Sequence, residues 1–171
     1  MTPEHPLQKN TAFIDGQNLH LSTQKAGWAI DYKKLRVYLY EKYNITEAYY
    51  FLGYINDKYK DIYKNLREAD YILSFRDHSE SIASKKKGNV DSDIVFTVLK
   101  RLITNPEPEM VYIISGDGDY FKLIQFLIER NIFGKILFPS KLFASSLYKK
   151  LGTEYFDYLD DKNIRAKIED K

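Results

Sequence analysis

Four aspartates in three separate segments carry most of the chemistry this chain offers. Asp15 ends the short apolar run Thr11-Ala-Phe-Ile-Asp15. Asp117 and Asp119 alternate with Gly116 and Gly118, directly after the β-branched run 111–115. Asp91 follows Lys87-Gly-Asn-Val and opens a helical pattern. If these carboxylates converge, they cannot all stay bare anions. Two carboxylates about 5 Å apart repel by roughly 3 kcal/mol at an effective dielectric near 20. Such a cluster either shares protons or takes a divalent cation. An oxygen-only donor set suits Mg2+ or Mn2+. Such an ion lowers the pKa of a bound water and steadies charge on a phosphoryl group, which is the chemistry of phosphodiester hydrolysis.

The bland roles of each acid are equally concrete. Asp119 directly precedes a helical pattern, where Asp is a favoured N-cap. Asp117 between two glycines is ordinary turn chemistry, and Asp15 at a strand end is a turn former. Helical geometry separates Asp91 from its neighbour Asp93. At about 100° per residue, Asp91, Val95, Val98 and Leu102 share one stripe, which is expected to be the buried one. Asp93 falls on the opposite side with Thr97 and Lys100, as a solvated acid favoured by the helix dipole. An acid on a buried stripe needs a partner, so Asp91 is the candidate. Lys85, Lys86 and Lys87 lie just before it. Beside a metal site they would grip backbone phosphates, and away from one they are a solvated charge run.

Elements must bring these residues to one place. Runs at 11–15, 46–54, 71–75, 111–115 and 134–138 read as buried strands, with a short edge strand at 155–159. Helical patterns fill 32–43, 59–69, 91–104 and 120–130, and Asp31 caps the first of them. Gly16-Gln17-Asn18 reads as a break that leaves Asn18 in a loop. Pro139-Ser140 reads as the start of a helix reaching about residue 151, with Ser140 as N-cap. Residues 76–87 read as a polar surface loop. Strand–helix alternation gives an α/β fold: a three-layer, Rossmann-like domain with a mostly parallel sheet of five or six strands. In such a sheet the strand ends carrying Asp15 and Asp117 lie on one edge, where ligands bind. The domain spans 11–159, between a flexible segment at 1–10 and a charged tail at 160–171.

Composition excludes other classes. The 171 residues are 44% hydrophobic and 29% charged, which is ordinary globular material. No apolar run reaches the length of a membrane span, and the first ten residues lack the apolar core of a signal peptide. A cytoplasmic protein is expected. There is no cysteine and there are three histidines, which leaves no thiolate or zinc chemistry. No Walker A or G-x-G-x-x-G turn is present, and no serine sits in a G-x-S-x-G elbow. Gly116-Asp117-Gly118 also matches the late signature of haloacid-dehalogenase phosphatases. Those enzymes need a second aspartate two residues after the first-strand acid, and Gln17 stands there.

Phe13-Ile-Asp-Gly-Gln-Asn18, Lys87-Gly-Asn-Val-Asp91 and Ser115-Gly-Asp-Gly-Asp-Tyr-Phe121 resemble the three signature segments of the NYN domain family, in its LabA-like branch of PIN-like nucleases. The resemblance covers nearly the whole chain. It implies a PIN-like fold and a Mg2+- or Mn2+-dependent ribonuclease acting on single-stranded or structured RNA. Asp15, Asp91, Asp117 and Asp119 match the acidic positions, as metal ligands and catalytic groups. Asn18 and Ser115 match the polar support, which would fix the carboxylates or bind a scissile phosphate oxygen. Many relatives carry a further acid where this chain has Thr97. Two rival expectations remain: a non-catalytic RNA-binding module on the same fold, as a monomer or a homodimer, and a small-molecule phosphohydrolase.

Overall fold

The computed structural model describes residues 8–77, 90–107 and 109–171. Its β-branched and aromatic runs form strands β1 (Asn10–Asp15), β2 (Ile45–Tyr54), β3 (Ile72–Arg76), β4 (Met110–Ile114), β5 (Phe133–Phe138) and β6 (Phe156–Tyr158). They make one six-stranded sheet in the order β3-β2-β1-β4-β5-β6, and every pair is parallel. The helices among the described residues are α1 (Gly16–Lys25), α2 (Tyr32–Tyr43), α3 (Lys60–Glu68), α4 (Val90–Thr104), α5 (Phe121–Glu129) and α6 (Lys162–Ile168). None of them is long and apolar enough to cross a membrane.

Side-chain alternation along each strand splits the interior into two cores. On β1, Ala12 and Ile14 face one core and Phe13 the other. The first core is closed by Leu19 of α1, Leu35 and Leu39 of α2, Leu66 of α3 and Ile168 of α6. The second is closed by Val90, Ile94 and Val98 of α4 and by Leu123, Ile124 and Leu127 of α5. Helices therefore cover both faces, and the architecture is three-layer α/β/α and PIN-like.

The strand order fixes where a site can form. From β1 the chain builds outward through β2 and β3, then returns to lay β4 on the other side of β1. The connections after β1 and β4 leave in opposite directions, which opens a crevice at their carboxyl ends. Ile14 pairs with Ile114, so the next residues, Asp15 and Ser115, stand side by side at that crevice.

Three sequence expectations need correction. Gly16 to Asn18 is not a break but the first turn of α1. Asp15 caps it by accepting from Asn18 N at 3.1 Å. Gly16 serves close approach: a Cβ there would lie 2.3 Å from the Tyr50 ring and 2.7 Å from Phe51 O. Second, no helix spans 140–151. A short 3-10 turn covers Ser146–Lys150, capped by Ser145. Ser140 caps nothing, and its buried hydroxyl has no partner among the described residues. The chain instead folds back over the aspartate turn, with Ser145 N donating to Gly116 O at 2.9 Å.

Third, the charged tail expected at 160–171 is docked on the domain through α6. Ile168 is fully buried and Ile164 packs on the same core. Asp31 N donates to Ile168 O at 2.9 Å, and the Arg165 guanidinium lies 5.1 Å from the Trp28 ring centre. Two isoleucines at i, i+4 give this charged helix one apolar stripe, which is enough to dock it. The first seven residues of the expected flexible N-terminal segment lie outside the described residues.

Candidate metal centre

Asp15 is 4% exposed, and its carboxylate is held from three directions. Oδ1 accepts from Asn18 N through the helix cap. Oδ2 accepts from Ser115 Oγ at 3.4 Å and from the Tyr120 hydroxyl at 3.0 Å. Burial raises its pKa above the usual carboxylate value. The hydrogen bonds from Asn18, Tyr120 and Ser115 oppose that shift, and the Asp117 charge adds to it.

Asp91 stands in the first turn of α4. The fully buried stripe of that helix is Val90, Ile94 and Val98, while Val95 and Leu102 are only partly buried. Asp91 therefore sits at the edge of the buried face, one turn before Ile94, and is itself partly buried. Its Oδ1 accepts from the Tyr120 hydroxyl at 2.7 Å. Burial is the main cause that raises its pKa, to about 7. A hydrogen bond with the Asp119 carboxyl and the charges of Asp117 and Asp15 add to this, and the Tyr120 bond offsets part of it. Asp93 lies outside the cluster. It stays more than a third exposed and pairs with Arg76 Nε at 3.2 Å.

Asp117 completes the group. Its backbone N donates to Ser115 Oγ at 3.1 Å, and its Oδ1 accepts from Asp119 N at 3.0 Å. So Asp117 caps the 3-10 turn Gly118–Tyr120, and the cap expected at Asp119 is not there. Asp119 is exposed, and its carboxyl reaches Asp91. A bond between two carboxyls needs a proton between them, which is how Asp119 contributes to the raised pKa of Asp91. Asn18 ties the two halves of the site together, because its Oδ1 accepts from Gly116 N at 2.8 Å. Lys85, Lys86 and Lys87 lie outside the described residues.

Tyr120, at the start of the helical pattern 120–130, is a site residue that its apolar spacing conceals. The ring is fully buried, and the hydroxyl meets both Asp15 and Asp91. One phenolic proton satisfies one carboxylate at a time, so the pair together with Tyr120 holds an odd proton economically. Burial and the two carboxylates push the phenol pKa far up, and the hydroxyl stays a donor. A signal existed: a buried tyrosine almost always needs a partner for its hydroxyl, and Tyr120 directly follows Asp119. Tyr148 is a second case. Its hydroxyl donates to Asp117 O.

Asp15, Asp91 and Asp117 each present a carboxylate oxygen, all within 4.8 Å of one another. At that separation and a dielectric near 20, two ionised groups repel by roughly 3.5 kcal/mol. Three hard oxygens this close together are a donor set that suits one small divalent cation. They open into a cleft of about 390 Å³, lined also by Asn18, Lys25 and Phe143.

A parallel α/β/α sheet with three carboxylates at its topological crossover defines a class, and comparison with known proteins gives it a family. A family model described as NYN domain matches residues 10–157. The chain belongs to the NYN domain family. The low amplitude and bright protein LabA of Synechococcus elongatus is 24% identical over 166 residues, covering 92% of this chain and 86% of LabA. A crystal structure of a protein of unknown function from Vibrio parahaemolyticus superposes with a TM-score of 0.75 at 19% identity. It covers 94% of this chain and 98% of that one, which shows the shared fold.

Proposed function

We propose that the chain is a Mg2+- or Mn2+-dependent endoribonuclease. The observation that carries this reading is the convergence of Asp15, Asp91 and Asp117 at an open cleft, on a family whose fold is nuclease-like. Asp15, Asp91 and Asp117 would hold the ion. When bound, it supplies a water of lowered pKa and a counter-charge for the phosphoryl group. Asp119, whose carboxyl reaches Asp91, would orient the attacking water. Ser115 and Asn18 commit their oxygens to Asp15, Asp117 and Gly116, so their part is to hold the carboxylates in place. Thr97 bonds to the Asp93 carbonyl and brings no further acid, which favours a single ion.

The test is cleavage of a fluorescently labelled RNA by the purified chain with Mg2+ or Mn2+. Asp91→Asn is expected to abolish cleavage while RNA binding largely survives. Binding without cleavage under either metal would overturn the enzyme and leave an RNA-binding module. Turnover of a phosphomonoester with no effect on RNA would make it a small-molecule phosphohydrolase.

A further inference from the structure

The cleft wall carries an aromatic ring on a backbone that the fold pins, and leaves that ring partly open to solvent. Phe143 is 40% exposed and lines the same cleft as the three aspartates. It belongs to neither hydrophobic core, yet its backbone is pinned to the aspartate turn. Two residues on, Ser145 N donates to Gly116 O at 2.9 Å. The Tyr148 hydroxyl then donates to Asp117 O. The fit is close, since a Cβ added to Gly116 would stand 3.3 Å from Phe143 O. The backbone that carries the ring is thus set relative to Asp117, and part of the ring's surface is left open to the cleft.

Lys25 is the second observation. It is the one cation lining this acidic cleft among the described residues. Its Nζ lies 5.9 Å from the centre of the Phe143 ring, at the outer limit of a cation–π contact. An aromatic face beside an ammonium is the pair of features that holds single-stranded nucleic acid. The base stacks on the ring, and the backbone phosphate takes the charge. Leu142, the residue before Phe143, is 81% exposed and offers apolar area without a π face.

We propose that Phe143 is a stacking platform for one nucleobase next to the metal centre, and that Lys25 binds the phosphate of that nucleotide. The arriving base displaces the weakly held ammonium from the ring. Any base can stack, so the subsite selects for an unpaired nucleotide and not for sequence. Its relevance to cleavage rests on the nuclease reading, but its occupancy does not.

The test uses the full chain with Asp91→Asn and a single-stranded RNA carrying 2-aminopurine, whose fluorescence is quenched on stacking. Binding with quenching is expected. Phe143→Ala should weaken binding roughly 5- to 150-fold and remove the quench. Phe143→Trp should keep both. Phe143→Leu, which keeps apolar bulk, should lose the quench. Lys25→Ala should lower the salt slope of binding by about one. The inference is overturned if the parent binds without quenching or does not bind, or if Phe143→Ala and Phe143→Leu both match it. Failure of the unsubstituted chain to cleave RNA would sink the nuclease reading alone and leave the fluorescence result to decide this one.

Discussion

Asp91 is the residue whose environment makes the sharpest demand. Its pKa stands at about 7 in the folded chain against an ordinary 3.8. Without metal, the native state therefore holds a proton that the unfolded chain releases between these values. The resulting stability is complete below about pH 4 and is lost as pH rises towards 7. Asp15 acts in the same direction, because burial raises it too. Glu109 acts in the opposite direction: Arg101 and Thr11 hold its pKa down against burial, so its stability is lost as pH falls. The difference between parent and Asp91→Asn isolates the effect. In EDTA, the melting temperature of the parent should fall from pH 4 to 7 relative to that of Asp91→Asn. A flat difference across that range would show that Asp91 titrates normally. Tyr120→Phe tests the other half of the arrangement. It keeps the ring and removes the donor shared by Asp15 and Asp91. A loss of about 1–3 kcal/mol is expected in urea denaturation, with weaker metal binding by calorimetry.

Elements place these residues, and at this scale the sequence was read unevenly. The helix capped by Asp31 runs over 32–43 as its pattern predicts, because local apolar spacing and a cap decide it. Helix α1 was hidden, because Gly-Gln-Asn after a strand looks like a turn. Only the Tyr50 ring and Phe51 carbonyl reveal why glycine starts this helix. Gly16→Ala should force α1 away from β2 and move Asp15 and Asn18 with it. A destabilisation of about 1–3 kcal/mol is expected from overpacking, and metal affinity measured by calorimetry should fall as well. The segment 140–151 failed for a related reason. Its local chemistry favours a helix start, but covering Gly116 and Gly118 decides its path. In α6 the run of charges masked the pair Ile164 and Ile168. Ile168→Ala should cost about 2–5 kcal/mol by chemical denaturation, whereas an undocked tail would tolerate it without change.

For the molecule as a whole, the parallel sheet and the edge that carries the acids were legible because both follow from alternation of elements. The contacts that close the cluster were not, because Tyr120 and Tyr148 look like core residues until the tertiary fold gives their hydroxyls partners. A bound ion should stabilise the entire domain, by about 2.7 kcal/mol at a hundredfold excess over its dissociation constant. Thermal melts with Mn2+ should show this gain at pH 7 and a smaller one at pH 5, where the ion must displace protons. No gain at either pH would mean that the carboxylates share protons and hold no metal. The crossover at β1 has a temporal consequence as well. Tyr120 meets Asp15 across 105 residues of chain and Asp91 across 29. During synthesis, which proceeds from the N-terminus, Asp15 emerges early with its local Asn18 cap and lacks Ser115 and Tyr120 until β4 and the turn after it have been made. The centre is closed by the second half of the polypeptide, so a growing chain lacks the complete carboxylate cluster until most of the protein exists.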